Sequence, residues 1–282
     1  MDLHLATIVP LIPHTHTVVF LHGRGDNAKN FALSLLHSRD SKNRSLPDIF
    51  PSFRWVFPQP KMGEESAVQG SEMYQWFDIW NVRDFSDREE IQAPGLKESV
   101  ANIRRSLATE AVLLDGQWEN IILAGISQGA ATSVHTLLNL TLPPQTTTDG
   151  QNVPRRLGAF LGFSCRMPFP GKSLAETRSV LSLDSVLDND EFLRNTPVLL
   201  EHCVDDPLVL VQNGRALRET LRRFGAQVTW KEYPDGGHWF NSPQGIDDAV
   251  VFLNEHLRLN IPSAAGQLPT QSGANPDSMD IS

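Results

Sequence analysis

Six short apolar runs recur along the chain, separated by segments with a longer period. Val18–Leu21, Arg54–Phe57, Ile121–Gly125, Gly158–Gly162, Val198–His202 and Val228–Tyr233 read as strands, the last by its alternation. Elsewhere the apolar spacing stretches to three or four residues. Leu96, Val100, Ile103, Leu107, Ala111 and Leu114 share one face of a helix over Leu96–Leu114, and Pro94-Gly95 marks its start. Val211–Phe224, ended by Gly225, predicts a second helix. Gly245–Leu257, with Ile246, Val250, Leu253 and Leu257 along a stripe, predicts a third. Strand and helix alternate. That order predicts an α/β fold with a mostly parallel central sheet and helices on both faces.

Three segments break the pattern. Leu142–Pro154, with Pro143-Pro144 and Asp149-Gly150, predicts a polar surface loop. The chain's end is rich in Pro, Ser, Gly and Gln, which places a single domain over residues 1–260 and a disordered tail over 261–282. Gln59–Ala93 carries Met62, Met73, Tyr74, Trp76, Phe77, Ile79 and Trp80 with neither a helical nor a strand period. It reads either as a long loop pinned to the core by its aromatics or as the wall of a binding groove.

Composition narrows the classes. The 282 residues, 40% hydrophobic and 20% charged, suffice for one large core. A formal charge of −9, with no basic arm, argues against nucleic acid and anionic membrane surfaces as partners. No apolar run is long enough to cross a bilayer, so no stable membrane insertion is expected. The first residues carry no Lys or Arg, and Pro10 and Pro13 interrupt the apolar stretch, unlike a signal peptide. Cys165 and Cys203 read as free thiols. Together these features predict a cytoplasmic protein. No coiled-coil pattern specifies an oligomeric state.

The sharpest chemical signal is Gly125-Ile126-Ser127-Gln128-Gly129, lying between an apolar run and the helix-like Ala130–Leu138. A strand feeding a helix through so tight a turn leaves the central hydroxyl strained and at the apex. Ser127 is the expected nucleophile. A hydroxyl needs an imidazole to take its proton and a carboxylate to orient that imidazole. In a fold with this elbow the chain order is Ser, acid, His. The strand ending at His202 runs into Asp205-Asp206, and the last strand ends in Pro234-Asp235-Gly236-Gly237-His238. His238 is the expected base, with Asp205 or Asp206 as its acid and the other a solvated loop carboxylate. Asp235 more plausibly shapes the turn. The Gln128 N–H, following the nucleophile, supplies one oxyanion donor. The other histidines have plainer readings: His22 and His202 hold loop backbone, and His135 lies more than a turn from the elbow. His14 and His16 lack a carboxylate or thiol to complete a metal site, so neither a metal nor a cofactor is expected.

At these residues the chain resembles a known family. Phe20-Leu21-His22-Gly23-Arg24-Gly25-Asp26, Trp76-Phe77-Asp78, Gly125-Ile126-Ser127-Gln128-Gly129, Asp206-Pro207-Leu208-Val209 and Gly237-His238 are similar to the acyl-protein thioesterase/carboxylesterase (lysophospholipase-type) family of α/β-hydrolases. The resemblance implies a serine hydrolase of esters or thioesters using Ser127, Asp206 and His238. It places the second oxyanion N–H at Arg24. The Arg24 side chain itself reads either as a contact for a carboxylate or phosphate on the substrate or, by default, as a solvated group. It also puts Gln59–Ala93 on the substrate side, with Trp76, Phe77 and Trp239 as candidate walls of an acyl groove. The chain departs from the family pattern at His202-Cys203, where His-Gly is common, at Ala130, at the loop near Thr146 and in the tail. Acylated proteins or lysophospholipids are one expected substrate class. A small-molecule esterase or thioesterase is a second reading, and a binding protein that has lost its activity a third.

Overall fold

The computed structural model describes residues 3–64, 72–142, 145–146, 152–153, 155–186, 188–257 and 259. In chain order the elements begin with β1 (His4–Ile8), β2 (His16–Leu21), α1 (Ala28–Leu35), α2 (Leu46–Ile49) and β3 (Phe53–Gln59). A small hairpin of β4 (Met62–Glu64) and β5 (Glu72–Tyr74) precedes the long α3 (Gln92–Leu113). Then come β6 (Ile121–Ile126), α4 (Ser127–Leu138), the paired β7 (Gln145–Thr146) and β8 (Asn152–Val153), β9 (Ala159–Phe163), α5 (Leu174–Leu181) and α6 (Glu191–Asn195). The chain closes with β10 (Val198–Cys203), α7 (Val211–Arg223), β11 (Val228–Tyr233) and α8 (Gln244–Leu257).

Seven strands form one sheet in the order β1-β3-β2-β6-β9-β10-β11. Every pairing in it is parallel except β1 with β3. Alternate residues of each strand enter opposite apolar layers, as the pleat requires. Val19, Leu21, Ile121, Leu123, Phe160 and Leu200 pack with α3, α4 and α7 on one face. Val18, Phe20, Ile122, Ala124, Leu161 and Leu199 pack with α1 and α8 on the other. Burial on both faces is why these strands read as continuous apolar runs.

Strand β1 lies outside the sequence expectation. Its five residues bury only Ala6, so an edge strand half open to solvent leaves almost no alternation to read. Helix α3 starts at Gln92, ahead of Pro94-Gly95, which occupy its first turn. Proline is tolerated there because the first N–H groups of a helix have no helical acceptor. A Cβ on Gly95 would lie 2.9 Å from Phe77 Cα, so the glycine lets α3 press against the Gln59–Ala93 segment. Buried Arg166 braces that segment from another side, stacking at 4.0 Å on Phe85 and donating to Gln92 Oε1. Within Leu142–Pro154 the described residues are Leu142 and those of β7 and β8, which pair where a plain loop was expected. The expected tail at 261–282 lies outside the described residues. Among the described residues, no helix is long and apolar enough to cross a membrane.

Candidate active site

All the candidate catalytic residues leave the carboxyl ends of parallel strands, where this architecture gathers its loops. Ser127 follows β6 directly and opens α4 with φ +56°, a left-handed conformation that costs a non-glycine residue about 1 kcal/mol or more. Its neighbours explain how the turn closes. A Cβ on Gly125 would lie 2.6 Å from Ala130 N, and one on Gly129 would lie 2.4 Å from the carbonyl oxygens of Leu21 and His22. The glycine spacing therefore lets β6, α4 and the end of β2 meet at the serine. Gly23 closes the far side, its Cβ position 3.5 Å from Ser127 Cβ.

Strand β10 delivers the acid and β11 the imidazole. His238 Nδ1–H donates to Asp206 Oδ2 at 2.8 Å. Asp206 is fully covered, and its other oxygen accepts the Leu208 and Val209 N–H groups, each at 2.9 Å. His202 Nε2 donates to the Val209 carbonyl at 2.7 Å and also lies 3.4 Å from Asp206 Oδ2. Burial alone pushes the Asp206 carboxyl up, but the donated bonds from His202, His238 and Val209 outweigh it and hold the group well below the usual carboxylate range. Asp206 stays ionised at neutral pH.

Asp205 is exposed but is not a merely solvated carboxylate. Its Oδ1 accepts the Gly237 N–H at 2.8 Å and so ties down the turn that carries His238. Gly236 (φ +127°) and Gly237 (φ +63°) give that turn its shape. Among the described residues no hydrogen bond joins Ser127 to His238. The structure thus joins Asp206 to His238 and sets Ser127 in the turn between β6 and α4.

A sequence model of the phospholipase/carboxylesterase family matches residues 3–257. The chain belongs to that family. It is 29% identical to acyl-protein thioesterase 1 of Gibberella zeae over 260 residues, covering 89% of this chain and 96% of that one. It is 30% identical to a probable carboxylesterase of Oryza sativa over 247 residues, 86% of this chain and 77% of the relative. Among solved structures, acyl-protein thioesterase 2 of Zea mays superposes with a TM-score of 0.65 at 23% identity, over 90% of this chain and 98% of that one. The fold is that of the α/β-hydrolases, and the protein is a hydrolase of the thioesterase/carboxylesterase type.

Several expectations for this hydrolase change in detail. Trp76 and Phe77 are 1% and 2% exposed and sit in the apolar layer with α3 and α4. The Gln59–Ala93 segment is pinned to the core by these aromatics. Each contributes about 2–3 kcal/mol of burial. The Trp76 indole N–H donates to the His22 carbonyl at 2.8 Å. Trp239 is half-buried, packed edge-on against Phe31 and Phe240, with its indole N–H on Ser38 Oγ. The Arg24 side chain does not simply point into water: its Nε donates to Gln75 Oε1 at 3.2 Å.

Three other histidines hold backbone. His22 Nδ1 bonds the Gly23 carbonyl at 2.8 Å, and His135 Nε2 bonds that of Pro168 at 3.2 Å. His14 Nε2 lies on the His16 carbonyl and Thr17 Oγ1. Cys165 and Cys203 are both free and buried. The sequence reading missed the ties made by the Asp205 carboxylate and the Gln128 carboxamide. Both are polar side chains beside a named site residue, and only their backbone partners distinguish them from solvated groups.

Proposed function

We propose that this hydrolase cleaves carboxylic esters or thioesters by two-step acyl transfer, with Ser127 as nucleophile, His238 as general base and Asp206 as orienting acid. The observation that carries the reading is the buried, ionised Asp206 bonded to His238 Nδ1, with a serine held left-handed at the carboxyl end of β6 in the same parallel sheet. Closure of the imidazole onto Ser127 Oγ lets Nε2 take the hydroxyl proton as the oxygen attacks the carbonyl carbon. Open serine–imidazole geometry is common before substrate binds. The Arg24 and Gln128 N–H groups then hold the developing oxyanion, each worth about 3–4 kcal/mol. Protonated His238 passes its proton to the departing alcohol or thiol. Water, deprotonated by the same Nε2, hydrolyses the acyl-enzyme and returns Ser127. No step draws on a metal or organic cofactor.

For the substrate we propose long-chain acyl groups on protein cysteines or lysophospholipids, supported by the relatives named acyl-protein thioesterase. The catalytic unit is assigned to residues 1–260 and the cytoplasm as its compartment, which two unpaired thiols support. A fluorophosphonate probe is expected to label Ser127, and rates on p-nitrophenyl esters are expected to rise from acetyl to long acyl chains. Absence of labelling would remove the nucleophile. A flat chain-length profile would favour a small-molecule esterase.

The Asp205 tie makes a separate prediction. Asp205→Ala leaves the Gly237 N–H without its acceptor and is expected to lower kcat about 3- to 10-fold, the value of one such bond. Asp205→Asn keeps a carbonyl oxygen at the same place and should retain most of the rate. Equal losses in both variants would argue for charge rather than positioning.

A further inference from the structure

We infer that the Gln128 side chain, separately from its backbone N–H, is a positioning residue that sets the spacing between the two oxyanion donors. This rests on the acyl-transfer reading above. The Gln128 carboxamide is buried, and both of its ends are used on one neighbouring segment. Its Oε1 accepts the Trp76 N–H at 2.9 Å, and its Nε2 donates to the Phe77 carbonyl at 2.6 Å. The same segment is laced to the loop that carries Arg24. The Gly25 N–H donates to the Tyr74 carbonyl at 2.8 Å, the Trp76 indole to the His22 carbonyl at 2.8 Å, and Arg24 Nε to Gln75 Oε1 at 3.2 Å. Helix α3 backs the strap, with Ser99 Oγ donating to the Trp76 carbonyl at 2.6 Å and Gly95 against Phe77.

Residues 74–77 therefore lie between two attachments. One is a side chain on the residue after the nucleophile, whose own N–H is the first donor. The other is the loop 22–25, whose Arg24 N–H is the second. Two donors serve one oxygen only if both come within about 2.7–3.1 Å of where it will be, and an error near 1 Å costs about 100-fold. The strap carries that spacing from α4 to the loop. A carboxamide suits the task because it offers an acceptor and a donor together. Glutamate lacks the donor when ionised, methionine lacks both, and asparagine is a methylene too short.

The test compares wild type, Gln128→Met and Trp76→Phe on p-nitrophenyl butyrate, with phenylboronic acid as the tetrahedral mimic. Gln128→Met is expected to lower kcat about 10- to 100-fold, with KM moving less than about threefold and boronate affinity falling in step with kcat/KM. Trp76→Phe, which removes one of the three bonds of the far attachment and keeps the carboxamide bonds, should show the same split at about 3- to 10-fold. Wild-type kcat in Gln128→Met, or a loss confined to KM, overturns the inference. Should Gln128→Met not fold, an unchanged kcat in Trp76→Phe overturns it instead. Wild-type protein that neither binds boronate nor labels at Ser127 would sink the acyl-transfer reading itself, a result distinct from either variant's failure.

Discussion

Ser127→Ala is expected to leave the fold intact and lower turnover by about four to six orders of magnitude. The substitution removes one atom, Oγ. The Cβ that sits 3.5 Å from the Gly23 position remains, and alanine meets the same left-handed backbone as serine at φ +56°. Packing of β6, α4 and the end of β2 is set by Gly125 and Gly129 and does not involve the hydroxyl. The thermal midpoint should therefore stay within a few degrees while ester hydrolysis collapses. What rate survives comes from the oxyanion donors and substrate binding alone. Steady-state kinetics on p-nitrophenyl butyrate beside a melting curve checks both halves. A variant that kept a near-wild-type rate would assign the attack to another group.

Asp206→Asn carries the second-largest expected effect, about 10⁴-fold in kcat. The carboxylate accepts on every side. Oδ1 faces two backbone N–H groups, and Oδ2 faces the His238 and His202 ring nitrogens. An asparagine NH₂ has nowhere to point. Turned toward Leu208 and Val209, it sets donor against donor. Turned toward His238, it demands that Nδ1 accept, which moves the imidazole proton to Nε2 and removes the base. The variant should also lose about 1–3 kcal/mol of stability, the cost of leaving a buried group unsatisfied. A pH series separates the two effects. Because folding holds the Asp206 carboxyl below its ordinary value, its ionisation contributes stability that is full above about pH 4 and fades as the pH falls further. Wild type should lose that increment on acidification and Asp206→Asn should not. Parallel acid-unfolding curves would contradict the account.

The central sheet was legible because five of its strands are buried enough to write apolar runs and β11 alternates, and each became a strand within a few residues of its expected ends. Strand β1 was not, since one buried residue in five makes no period. The hairpin of β4 and β5 has three-residue strands, too short to show alternation. In Trp76 and Phe77 the sequence showed two large apolar rings in an irregular stretch, a signal shared by core and groove. Only the layer they enter separates the two. The Ser127 elbow was readable from its glycines, whose steric need is local. The roles of Asp205 and Gln128 were not, because their partners lie on Gly237, Trp76 and Phe77, at distances along the chain that no local pattern encodes.

Adjacent residues on one strand end hold the base in two ways: Asp206 by its ring, Asp205 by the backbone one residue before it. Breathing of β11 against β10 strains both ties together, so the imidazole rides with its acid as a unit instead of sliding past it. The His238 ring is thereby coupled to β10 through its side chain and through its own backbone turn at once.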